Sequence, residues 1–158
     1  MGGSIFIAMV AAVFLWWFST GAILLVVRIT ENFNFFRKLK VCILSLPILV
    51  VGLFGIWKTS FNLTILDSYL AFGSALLVWG WIELTFLTGV ITGPNKSQCP
   101  KNITLFEKFI RAWGTLAYHE ISLLLGLGVV ILLGYAQGNQ FGIWTFTVLY
   151  FARIFAKL

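Results

Sequence analysis

Leu66-Asp-Ser-Tyr-Leu-Ala-Phe-Gly-Ser-Ala-Leu-Leu-Val-Trp-Gly-Trp-Ile-Glu-Leu-Thr-Phe-Leu-Thr-Gly-Val-Ile91 is the stretch whose reading decides the fold. Beyond Asp67 its charge is confined to Glu83. A helix rises about 1.5 Å per residue, so about 20 mostly apolar residues cross a hydrocarbon core of about 30 Å. This stretch is long enough. It lacks the period-two alternation of a barrel strand, and unpaired backbone is costly in lipid, so it reads as a membrane helix. Working outward, comparable runs cover 4–27, about 39–57, about 108–134 and a short 141–156. Pro47 interrupts the second and reads as a kink. The expectation is an all-α, polytopic membrane protein of one domain, 1–158, with about five transmembrane helices at 4–27, 39–57, 66–91, 108–134 and 141–156.

Composition agrees. Of 158 residues 60% are hydrophobic and 10% charged, against roughly 45–50% and about 25% in soluble domains. That excludes an ordinary soluble domain and a disordered chain. The segments between runs are polar and short, and Thr92-Gly-Pro-Asn95 reads as a helix stop followed by a turn.

The net charge of +6 raises the question of a nucleic-acid partner, but the basic residues alternate between loops. Arg28, Arg37, Lys38 and Lys40 follow the first run; Lys96, Lys101, Lys108 and Arg111 surround the start of the fourth; Arg153 and Lys157 close the fifth. Lys58 stands alone on the opposite side. By the positive-inside rule the amino terminus is expected in the periplasm and the carboxyl terminus in the cytoplasm. Membrane orientation accounts for the charge without nucleic acid, and a surface of this sign can meet anionic lipid.

The first run has no basic n-region and exceeds a usual signal core, so it reads as a retained span. Phe6 stands where a myristoylation signal needs Ser or Thr. The sequons at Asn62, Asn95 and Asn102 read as chance, and Cys42 and Cys99 fall on the expected cytoplasmic side, without metal-ligand spacing.

Ionisable groups are costly in lipid, which makes Glu83, His119 and Glu120 the candidate site. Counted from Ile91 and Arg111, Glu83 and His119 each lie about 12 Å deep, and Ser19, counted from Val27, comes out level with them. Ser19, Thr20, Glu83, His119 and Glu120 thus form an expected intramembrane polar layer. His119 and Glu120, being adjacent, diverge by about 100° on a helix. Three readings stay open: a hydrogen-bonded network joining Glu83 to His119, Tyr118, Ser19 or Thr20; His119 as ligand to a haem or chlorophyll-type pigment; and a metal or proton site from Glu83, His119 and Glu120. The chain holds one histidine and no Glu-x-x-His spacing, which leaves the metal pattern incomplete. Trp16, Trp17, Trp79 and Trp81 fall mid-span, away from the usual interfacial belts, and imply close packing or contact with a flat partner.

Trp16-Trp-Phe-Ser-Thr-Gly21, Tyr69-Leu-Ala-Phe72, Leu77-Val-Trp-Gly-Trp-Ile-Glu83, Thr85-Phe-Leu-Thr-Gly89, Ile91-Thr-Gly-Pro94, Cys99-Pro100, Tyr118-His-Glu120 and Asn139-Gln140 through Trp144-Thr-Phe146 to Arg153 and Ala156-Lys-Leu158 together resemble the PuhE-type photosynthetic complex assembly proteins of purple phototrophic bacteria. The resemblance implies a multi-pass protein of the bacterial inner, intracytoplasmic photosynthetic membrane. It implies reaction-centre and light-harvesting subunits as partners, with the chain acting as assembly factor or bound accessory subunit. Contact with bacteriochlorophyll, carotenoid, haem or quinone belongs to the same expectation. Proteins of that family continue past the position of Leu158. No complete catalytic set is visible, which favours binding over an enzyme; the alternative is a membrane enzyme or carrier holding a tetrapyrrole, quinone or metal through His119 and Glu83.

Overall fold

A computed structural model describes residues 2–92 and 104–156. The described residues form helices α1 (Gly2–Thr30), α2 (Phe35–Leu44), α3 (Leu46–Ser60), α4 (Ile65–Leu87), α5 (Leu105–Gly134) and α6 (Phe141–Phe155). The all-helical expectation holds. Four stretches, Ile5–Thr30, Phe35–Ser60, Ile65–Leu87 and Trp113–Gly134, are long and apolar enough to cross a membrane. Helix α6, at 15 residues, is about 22 Å long and shorter than a typical hydrocarbon core of about 30 Å.

Three boundaries differ from expectation for local reasons. The second run breaks at Ser45, two residues before Pro47, which occupies the first turn of α3, where its missing N–H costs nothing. Ser45 bridges the break: its N–H donates to the Val41 carbonyl and its carbonyl accepts from Ile48 N–H. Helix α4 ends at Leu87, four residues short of Ile91. The chain turns there through Gly89 at φ +79°, and the N–H groups of Val90 and Ile91 both donate to the Thr85 carbonyl. Helix α5 starts at Leu105 rather than 108, closed by a capping box in which Thr104 Oγ1 accepts from Glu107 N–H while Glu107 accepts from Thr104 N–H. The expected Pro94 turn, Cys99, Lys96, Lys101 and Lys157 lie outside the described residues.

Helix α4 is the hub, touching α3, α6, α1 and α5. Its approach to α3 is close because Gly52 presents no side chain; a Cβ there would come within 2.9 Å of the Ser74 carbonyl oxygen and of Val78. Gly126 does the same for α5 against Ile82 and Phe146. Small residues drawing backbones together are the expected glue between helices in lipid. Ile56, Ala75, Val78, Ile82, Leu123, Val130 and Phe146 fill the core between α3, α4, α5 and α6. Helix α1 packs on α4, and Gly80 leaves room there for Ile23.

Candidate functional site

Where α4 ends, the fold gathers three charged or ionisable side chains from three helices. Glu83 lies one turn before the end of α4, His119 on α5 and Arg153 in the last turn of α6. Glu83 is 3% exposed and His119 is fully buried. Oε1 of Glu83 stands 3.4 Å from Nε2 of His119 and 3.2 Å from Nε of Arg153. Phe86, one turn-position along from Glu83, stacks on the imidazole at 4.0 Å between ring centroids and 29° between planes. The guanidinium carbon of Arg153 lies 5.5 Å from the same phenyl ring. The folded-back turn completes the enclosure, with the backbone N–H of His119 donating to the Thr92 carbonyl at 3.1 Å.

Among the described residues, Glu83 Oε1, both imidazole nitrogens of His119 and Nε of Arg153 are buried without a hydrogen-bond partner. The carboxylate is therefore within ion-pair range of both neighbours but not aligned with either for a hydrogen bond. Removing one member leaves its neighbours without that partner in a largely enclosed site.

The structure separates the residues of the expected layer. Glu83 and His119 come together. Ser19 and Thr20 do not join them: both hydroxyls donate to the Trp16 carbonyl within α1, each at 2.9 Å. Tyr118 is exposed on the far side of α5. Glu120 is half-buried, turned from His119 as adjacent helical residues must be. The common depth also changes, because α4 ends at Leu87 and Glu83 lies only about 6 Å from that end. Among the described residues no group of three His, Cys, Asp or Glu side chains converges as metal ligands, and the Arg153 guanidinium occupies the flank of Glu83 that a cation would need. Phe86 covers one face of the imidazole, and both of its nitrogens are buried.

Arg153 is the site residue that the charge pattern assigned to the cytoplasmic surface. Its signal was its spacing: Phe146, Tyr150 and Arg153 recur on one face of α6, and Phe146 is fully buried. The tryptophans divide as well. Trp16 and Trp17 are exposed on α1, whereas Trp79 and Trp81 pack against the core, and the Trp81 indole donates to the Cys42 carbonyl at 3.3 Å.

Long apolar helices packed through glycines around a buried carboxylate and imidazole, with a half-buried guanidinium beside them, define a helical membrane protein. The chain belongs to the family described as "Protein of unknown function (DUF3623)", whose model matches residues 3–158. It is similar to the "Uncharacterized 30.4 kDa protein in puhA 5'region" of Rhodobacter capsulatus, with 40% identity over 146 residues, 92% of this chain and 53% of that protein. The chain thus spans about half the length of the curated relative it matches. No solved structure matches it.

Proposed function

We propose that this protein is a multi-pass subunit or assembly factor of the photosynthetic reaction centre and its light-harvesting ring, a binding protein rather than an enzyme. The observation that carries this reading is the placement of a 40% identical relative in the puhA 5' region, a photosynthesis locus, which agrees with the PuhE-type resemblance of the Trp16, Glu83 and His119 motifs. In this reading α6 is a fifth crossing, the amino terminus faces the periplasm and the carboxyl terminus the cytoplasm, in the inner photosynthetic membrane. The exposed aromatic face of α1, with Phe14, Trp17 and Phe18 clustered, supports contact with neighbouring membrane proteins. The test is affinity purification of the tagged full-length protein from mild-detergent extracts of phototrophic cells. Reaction-centre and light-harvesting subunits are expected in the eluate; recovery of the chain alone from cells rich in those complexes overturns the reading.

A second reading, a proton- or ligand-handling protein, is favoured by the unpartnered polar atoms of Glu83, His119 and Arg153. It expects a chromophore or a stoichiometric metal in the absorption spectrum and metal content of the purified protein, lost in His119→Ala. A blank spectrum and no metal in intact protein exclude the ligand-holding form.

A further inference from the structure

The cleft between α1 and the α3–α4 pair lies apart from the buried cluster. It encloses about 720 Å³ and is lined from Leu15 to Val26 along α1 and from Tyr69 to Leu84 along α4, with Ile48 and Val51 as its third wall. At about 1.5 Å per residue these walls are about 16 and 22 Å long, comparable with the roughly 15 Å depth of one leaflet in a hydrocarbon core of about 30 Å. The cleft, at about 720 Å³, is apolar and of leaflet depth, which suits a hydrocarbon chain. Gly73 on its floor meets no atom within 4 Å of a Cβ position.

Basic residues of α2 lie near one end of the cleft. Trp81, on the α4 wall, donates to the Cys42 carbonyl of α2, and half-buried Lys38 stands one turn before Cys42 on the same helical face. Exposed Arg37 and Lys40 flank it, with the Arg37 guanidinium 6.0 Å from the Phe33 ring. Glu31 is the acid in the same turn. Apolar walls of leaflet depth under a cluster of cations match an amphiphile with an anionic head.

We propose that this cleft binds an anionic phospholipid, with its acyl chain against Gly73 and its phosphate at Lys38 and Arg37. The site is independent of Glu83 and His119. The full chain is exchanged into detergent, incubated with phosphatidylglycerol or phosphatidylcholine, and the retained lipid counted by native mass spectrometry. One phosphatidylglycerol per chain is expected, preferred over phosphatidylcholine by at least about fivefold, the contribution of a single basic residue near an anionic surface. Arg37→Gln with Lys38→Gln brings that preference towards parity. Gly73→Leu lowers retention of both lipids by filling the floor, and Ala22→Leu does so from the opposite wall if the first variant fails to insert. No retained lipid, equal retention of the two headgroups, retention unchanged by both cleft-filling variants, or a lipid-free homodimer overturns the proposal.

Discussion

Helices α1 and α4 are both apolar and both long enough to cross a bilayer, yet half of the most apolar window of α4 is buried and none of that of α1 is. The more apolar helix is the less buried. In water the reverse would hold, but lipid offers apolar side chains the same surroundings that protein does, so hydrophobicity does not draw helices together there. What draws them is close packing and polar contact. Helix α4 meets Gly52 of α3 and Gly126 of α5 and supplies Glu83 to a cluster shared with α5 and α6. Helix α1 satisfies its Ser19 and Thr20 hydroxyls internally and turns Phe14, Trp17 and Phe18 outward. One helix is built to hold this chain together, the other to meet its surroundings.

The sharpest way to break that contrast is to remove the charge on α4. Glu83→Leu leaves Arg153 facing an apolar side chain beside His119; removing one partner of a fully buried ion pair costs about 3–5 kcal/mol, and the 27% exposure of the Arg153 side chain lowers that. Insertion should survive, since the variant is more apolar, but thermal unfolding in mild detergent should move sharply down and complex yield should fall. Glu83→Leu combined with Arg153→Met should recover most of the loss, because apolar replacement of both partners is near neutral. Unfolding unchanged in the single variant would show the cluster to be incidental to the packing of α4.

A pair of glycines sharpens the comparison at a smaller scale. Gly52→Ala drives a Cβ to within 2.9 Å of the Ser74 carbonyl oxygen; an oxygen of the backbone cannot rotate away, and overpacking of this kind costs about 1–3 kcal/mol. Gly21, on α1, meets nothing within 4 Å. Gly21→Ala should be neutral or gain up to about 1 kcal/mol from helix propensity. Equal unfolding shifts in the two variants would erase the distinction between the helices. Trp17→Ala probes the outward face itself: unfolding should change by no more than about 0.5 kcal/mol, while recovery of photosynthetic subunits in the affinity purification falls. A variant that unfolds early but still binds would reverse the roles assigned to α1.

Much of this was legible in the residues. The apolar runs located the helices because lipid imposes one solution on the backbone, and Glu83 with His119 stood out because ionisable groups there need partners. The second partner, Arg153, is the one that the apolar runs and depths do not point to. Arg153 counted as a cytoplasmic charge by its place near the chain's end, although its seven-residue spacing from Phe146 put it on the buried face. Ser19 was joined to the layer by depth alone, which ignores that a hydroxyl in a helix can satisfy itself on the carbonyl three or four residues back. The end of α4 was set too late because Gly89 reads equally as a small packing residue or a left-handed turn, and only the fold-back onto Thr85 decides between them. The start of α5 was readable, since Thr104-Leu-Phe-Glu107 is a capping box.

That cap gives the smallest effect, and one that ought to leave the α1–α4 contrast untouched. The Thr104 backbone N–H, then its hydroxyl, and more weakly Arg111 hold the Glu107 carboxyl below its usual range. A carboxylate whose value is lowered by folding stabilises the folded end above its ordinary titration range and loses that contribution as pH falls through its lowered value. Hydrogen exchange at residues 104–111 should therefore quicken between mildly acidic pH and about pH 3, beyond the intrinsic pH dependence of exchange, while protection around Leu123 and Phe146 holds. Glu107→Gln keeps an acceptor for Thr104 but has no proton to gain, so its protection there should be lower at neutral pH and lose the acid-dependent step. If the step persisted in Glu107→Gln, another group would control the start of α5, and the capping box would be a bystander.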